Sequence, residues 1–512
     1  MWRNMLAATA LLLPVPALAE WREAETAHFI IYSESSEQEI EKLAERLESY
    51  DKLMRMATGI AEDTEPVKVR IYEVASTHQI ERALGLNNSG VAGFYDSNVL
   101  GPYAVTPRKT IGNSGTFSTE LVLQHEYAHH FMLQYFPAMY PSWYVEGFAE
   151  LIGSSKMLPD GKIGYGMPAT HRGNEIAAYW VPLDELLLKP PRKVRNLDLY
   201  GQGWALTHYF TFDSKRSGQL RQYLAALDAG RSREEAAKIF GDLDTLNRDA
   251  RRYVTNGSFE YKPVKIETAR PVIQQMRTLA AAEAALIPEV IALRDDELSL
   301  YRKAGERARE QELREANLQR IREKAQRFAD YPFALHLLAE AEYVAGNYAQ
   351  SEAAADRLLA IRPGDIRGMV SKSLNLAQAA RSLEGPARAA KAAEARALAL
   401  KANRADNDEP LALLAYYQSF NLAGEKPPKA ALEGLLQVVS MLPRNTAARQ
   451  LLVDRLAAER KWAEAVAWLQ PIANSPHESP RRDAAQEQMQ KLLAELARER
   501  GEAPETEVAT SS

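Results

Sequence analysis

The sequence predicts two architectures in one chain: an α+β N-terminal half, with a small sheet over a central helix and then a helical subdomain, and an all-α solenoid of repeats. Three observations carry this. Strand-like and helix-like segments alternate between residues 27 and 107. After about residue 264, alanine, leucine, glutamate and arginine dominate. Between residues 332 and 476 a helix–turn–helix pattern recurs, with Pro443 and Pro476 spaced 33 residues apart. At 512 residues the chain exceeds one ordinary core and implies two to four domains. With 46% hydrophobic and 26% charged residues it reads as globular. A net charge of −5 and the lack of a long basic patch exclude nucleic acid as the expected partner.

Residues 1–19 read as a secretory signal peptide. Arg3 gives a short positive start, Met5 to Leu13 an apolar core, and Ala17-Leu18-Ala19 a small-x-small cleavage site before Glu20. Its bacterial, Sec-type look places the mature chain in the periplasm or outside the cell. Nothing else reads as a membrane span, so none is expected after cleavage. With no cysteine, stability has to come from packing rather than disulfides.

Ala27 to Ser33 is β-branched and aromatic and predicts a strand. Ser36 to Ala57 predicts an amphipathic helix with Ile40, Leu43, Leu47, Tyr50 and Leu53 on one side, opened by a Ser36–Glu39 capping box. Val67 to Val74 alternates as a second strand. A short helix follows from Ser76 to Leu84, then strands at Gly93-Phe94-Tyr95 and Leu100 to Thr106.

The apolar, helix-patterned segment Leu121 to Leu133 contains His125-Glu126-Tyr127-Ala128-His129. Positions i and i+4 share one helical face, so both imidazoles can bind one Zn²⁺, with Glu126 between them as a general base. Pro141-Ser142-Trp143-Tyr144-Val145-Glu146-Gly147-Phe148-Ala149-Glu150 predicts a new helix with Ser142 as its N-cap and Glu146 and Glu150 on one face. A catalytic zinc needs three protein ligands and an open position. Glu146 can be the third. Glu150, one turn on, can accept a hydrogen bond from the far nitrogen of a ligating imidazole and fix its tautomer.

These two segments resemble the gluzincin zinc peptidases of the peptidase MA-like superfamily, and Trp143 to Ala149 is similar to the W-x-x-E-G-x-A run of the aminopeptidase branch. The resemblance implies a zinc metallopeptidase with His125, His129 and Glu146 as metal ligands and Glu126 as base, hydrolysing peptide bonds through a zinc-bound water. It also suggests the outer hydrogen-bonding role for Glu150. No third histidine follows in the metzincin arrangement. Tyr200-Gly201-Gln202-Gly203-Trp204 is similar to the branch's Y-x-x-G-A helix start, with Trp204 in place of alanine. This implies that the Tyr200 hydroxyl stabilises an oxyanion; a buried aromatic at a helix start is the other reading. His208, two turns on, is an alternative polar contributor or a core histidine. The family's edge strand pairs with substrate backbone, and Gly93 to Thr106 is where it would lie. No G-x-M-x-N-type run precedes His125, which favours an endopeptidase over an aminopeptidase.

Lys156 to Gly173 is glycine-rich and reads as a loop beside the site. Val181 to Tyr253 is helical and completes a domain spanning 20–260, with a break at Asn256-Gly257-Ser258. Residues 261–330 read as a helical linker, its charged run Asp296 to Asp330 a solvated face or bridge. In 331–480, Leu338 to Tyr343, Gly346 to Ala353 and Leu358 to Pro363 carry the signature of tetratricopeptide repeats. Further units run from Glu409 to Pro443 and Asn445 to Pro476, with a degenerate one over Gly368 to Ala402. Stacked repeats of this kind offer a concave face for a protein partner or the substrate. Residues 481–512 read as a terminal helix and a polar, disordered tail. The competing class is a non-enzymatic repeat scaffold carrying an inactive peptidase fold; retention of both ligating histidines and all three glutamates argues against it.

Overall fold

The computed structural model describes residues 20–62, 67–84, 93–98, 101–108, 118–135, 140–189, 196–268, 270–293, 304–407, 409–443, 445–474 and 480–501. The segment 1–19, expected to be a signal peptide, and most of the expected polar tail lie outside these residues.

Nine strands occur among them: β1 (Arg22–Glu25), β2 (Phe29–Ser33), β3 (Val69–Val74), β4 (Phe94–Asn98), β5 (Gly101–Pro107), β6 (Lys156–Met157), β7 (Ile163–Tyr165), β8 (Lys262–Val264) and β9 (Gln275–Thr278). The main sheet has the order β4-β5-β3-β2-β1-β9. β2, β3 and β5 are parallel, and the outer pairings are antiparallel. Alternation sorts β3 between two cores. Val69 and Ile71 pack on one face beneath α1 (Glu37–Thr58), α3 (Thr119–Tyr135) and α4 (Ser142–Gly153). Tyr72 and Val74 face the other way. The first helix opens with the expected capping box, the Ser36 hydroxyl accepting from the Glu39 N–H and Glu39 accepting from the Ser36 N–H.

The second face of the sheet is covered by α2 (Thr77–Leu84), then by helices from later in the chain. These later helices follow the subdomain α5 (Gly173–Ala178), α6 (Leu183–Leu188), α7 (Asn196–Phe212), α8 (Ser217–Asp228), α9 (Arg233–Ala237) and α10 (Leu243–Asn256). They are α11 (Ala281–Ala292), α12 (Ala304–Arg327) and α13 (Pro332–Val344), whose Leu286, Val290, Ile321 and Leu337 pack on Tyr72, Tyr103 and Val105. Covered on both sides, β5 is buried along its whole length. The core therefore continues past the expected division at residue 260. Among the described residues of the expected linker, β9 pairs with β1, β8 pairs with β7, and α11 and α12 form the second layer over the sheet. Strands as short as Lys262–Val264 and Gln275–Thr278 give no period to read in isolation, and their pairing partners lie far back in the chain.

Four helical hairpins follow, one for each expected repeat: α13 with α14 (Tyr348–Ile361), α15 (Ile366–Arg381) with α16 (Gly385–Ala405), α17 (Pro410–Asn421) with α18 (Lys429–Met441), and α19 (Thr446–Ala458) with α20 (Trp462–Ala473). The terminal helix is α21 (Pro480–Arg500). Each helix packs on its sequence neighbours, an arrangement compatible with a tetratricopeptide-like solenoid. The last hairpins return to the N-terminal half. Gln134 Nε2 of α3 donates to Ser440 O at 2.9 Å, and Ser142 Oγ of α4 to Asn474 O at 3.0 Å. Ser142 is therefore not the N-cap of its helix. Pro141 holds that position without a side-chain bond, because the Ser142 hydroxyl is drawn to the repeat end instead.

A buried ionic network braces the layer behind α3. His28 Nδ1 lies 2.8 Å from Glu48 Oε2 and its Nε2 lies 3.5 Å from Asp51 Oδ2. Asp51 also accepts from Arg55 Nε at 2.6 Å and from the Tyr127 hydroxyl at 2.7 Å. Burial pushes the His28 pKa down, but its bond to Glu48 and the charge of Asp51 outweigh this and raise it above 6.5. Burial pushes Glu48 up, yet His28 brings it below 4.5. The sign of each linkage follows. The His28 contribution is complete below pH 6.5 and is lost as pH rises through the raised folded value. The Glu48 contribution is present above pH 4.5 and is lost on acidification. Stability measured by urea midpoint is expected to fall from pH 6.5 to pH 8.5, and to fall less in His28→Gln; equal slopes in the two chains would remove His28 as the cause.

Candidate metal centre

The α3 helix carries His125 and His129 on one face, as the i, i+4 spacing requires, and both are buried. The α4 helix packs beside it and carries Glu146 and Glu150, both fully buried. The imidazoles converge: His125 Nε2 and His129 Nε2 are 3.0 Å apart, with Glu146 Oε2 at 3.2 Å from the first and 3.6 Å from the second. Ligand atoms around a tetrahedral zinc at about 2.0–2.1 Å lie about 3.3 Å from one another. The three side chains therefore fit a zinc ion, and one donor atom from each lies within 4.8 Å of the others.

The electrostatics favour a cation at the same point. Burial pushes Glu146 up, but the charges and hydrogen bonds of His129 and His125 outweigh this and hold its carboxyl far below the usual range. Burial pushes His125 down, but its bonds to Glu146 and Glu150 raise it to about 10. Two buried carboxylates thus call for positive charge on the imidazole side, and a bound metal supplies it as well as a proton does. Glu150 lies where the sequence places it: its Oε1 is 3.3 Å from His125 Nδ1, the nitrogen facing away from the cluster.

Tyr200 reaches the site from α7, its ring stacked at 5.9 Å on that of His125. Burial, then the charges of Glu146 and Glu126, raise its pKa well above 10, so the phenol stays neutral and is a hydrogen-bond donor. Glu126 is half-buried on the same turn of α3. His208 goes elsewhere. Its Nδ1 meets the Tyr253 hydroxyl at 2.9 Å and its Nε2 the Gly166 carbonyl at 2.8 Å, which makes it a satisfied core histidine. Trp204, the departure from the expected helix start, is buried against Leu151 and Ala169.

The approach of α7 depends on two glycines. A Cβ on Gly147 would stand 2.3 Å from Gly203 O and from Thr207 Oγ1, and one on Gly203 would stand 2.5 Å from Trp143 O. The α4 and α7 backbones touch there, and that contact brings Tyr200 to the ligand cluster.

The segment 156–173 differs from the expected loop. It forms the β6–β7 hairpin, and a helical turn at Thr170–Arg172 delivers the buried His171 and the half-buried Arg172 to Glu150. His171 Nε2 is 2.6 Å from Glu150 Oε2, and Arg172 Nη2 and Nε reach Glu150 Oε1 at 2.7 and 3.1 Å. Sequence reasoning missed both residues. The signal available was an adjacent His-Arg pair able to donate to a carboxylate, in a segment whose glycines mask its strands.

No protein-family model matches this chain, and no curated protein matches it. Among solved structures it is similar to a thermophilic tetratricopeptide-repeat (TPR) protein of Thermus thermophilus. That likeness has 18% identity and a TM-score of 0.31, and it covers 37% of this chain and 95% of the other.

Proposed function

We propose that this chain is an exported zinc-dependent peptidase of the gluzincin type, an endopeptidase whose repeats dock a protein partner or the substrate. One observation carries the reading: two imidazoles and a carboxylate converge at tetrahedral spacing, with the ring of Tyr200 stacked on that of His125. Zinc, when bound by His125, His129 and Glu146, supplies a Lewis acid that acidifies water to a pKa of about 7 and polarises a carbonyl. Glu126 takes the proton of the attacking water and hands it to the departing amine. The Tyr200 hydroxyl donates to the oxygen of the carbonyl under attack. Glu150 holds the His125 tautomer.

Peptide is the substrate class best supported. β4 is the edge strand of the main sheet and packs beside α3, so its outer backbone groups can pair with an extended chain. The α7 helix brings the Tyr200 ring against His125. Ala17-Leu18-Ala19 supports export to the periplasm or medium. Among the described residues no helix is long and apolar enough to cross a membrane.

Metal content of the chain from Glu20 to Ser512 tests the reading. One zinc per chain is expected, lost in His129→Ala. A wild-type chain that takes up no zinc on reconstitution would overturn the peptidase reading and favour the repeat scaffold.

A further inference from the structure

The His171–Arg172 turn is locked in place from two directions. Its hairpin is tied to β8 through Ile163 and Val264. Gly166, at φ +83°, lies so close to Phe212 of α7 that a Cβ would overlap its ring, and the Gly166 carbonyl is held by His208. The turn therefore enters the interior with little freedom. Arg172, its side chain 12% exposed, places two donors on Glu150 Oε1 and a third on Glu175 Oε1 at 2.9 Å. Its guanidinium also stacks over the Tyr200 ring, Cζ 4.5 Å from the centroid. His171 takes the other Glu150 oxygen.

We infer that Arg172 is a positioning residue for the metal ligand His125, acting through Glu150. The inference rests on the peptidase reading of the same site. A carboxylate has two oxygens and can rotate about its last torsion; with His171 on one oxygen and Arg172 on the other, that rotation is blocked. The Glu150 oxygen that faces His125 Nδ1 is then fixed, and with it the ring plane and the tautomer that leaves Nε2 free to ligate. Arg172 also balances the Glu150 charge. The Tyr200 face and Glu175 hold the guanidinium plane, which a lysine cannot reproduce.

Zinc affinity by chelator competition, with unfolding midpoints as control, tests this in Arg172→Gln and Arg172→Lys. Both are expected to bind zinc about 10–100-fold more weakly than wild type while folded. Lysine restores the midpoint more than the affinity. The double variant Arg172→Gln/Glu150→Gln is expected to lose no more affinity than Glu150→Gln alone, since both act through one path. A merely structural arginine would lower the midpoint and leave affinity within about threefold of wild type, and that result overturns the inference. Additive losses in the double variant overturn the route through Glu150. A wild-type chain without zinc overturns the peptidase reading itself, so the two failures are distinct.

Discussion

The Glu126→Gln chain is expected to keep its zinc and lose hydrolysis by about 10²–10⁴-fold, the usual contribution of a positioned acid–base group. The reason is geometric. Glu126 lies on the same helical turn as His125 but is half-buried, whereas His125, His129 and Glu146 are buried. The amide of glutamine keeps the shape of the site and cannot accept the proton of the attacking water. Turnover of a peptide that the wild type cleaves, together with metal content, checks this. Wild-type turnover in Glu126→Gln would remove Glu126 as the base, and loss of zinc would place it among the ligands.

Gly147→Ala is expected to damage fold and site together. Its methyl would meet the Gly203 carbonyl and the Thr207 hydroxyl at 2.3 Å, and backbone cannot swing aside as a side chain can. Overpacking of this kind costs about 1–3 kcal/mol. Because α4 carries Glu146 and Glu150 while α7 carries Tyr200, separating the two helices also pulls the phenol from the ligands. The denaturation midpoint should fall, and zinc should bind more weakly in the chain that remains folded. Gly218→Ala, where nothing lies within 4 Å, is the control and should be near neutral. Equal behaviour of the two variants would show that the α4–α7 contact does not hold the site.

Legibility in the sequence followed the range of the interaction. His125 and His129 were legible because a helix fixes the i, i+4 relation within one turn. Glu146 and Glu150 were legible for the same reason on the next helix. Each repeat hairpin was legible because its own apolar spacing and turn residues define it. Ser142 was misread for a complementary reason. Its local preference is to cap α4, yet a carbonyl 332 residues later competes for the hydroxyl.

The sequence by itself thus determined the helix of His125 and His129, the helix of Glu146 and Glu150, the capping of α1 and the four helical hairpins, all of which rest on contacts within a turn or a hairpin. Only the tertiary structure decided that residues 262–291 return to cover and extend the sheet, that Gly147 and Gly203 touch, and that His171 and Arg172 close around Glu150. Those arrangements depend on strand pairing and helix crossing between distant segments. Their energies come from burial and from charge pairs formed once the chain is folded, and no local period records them.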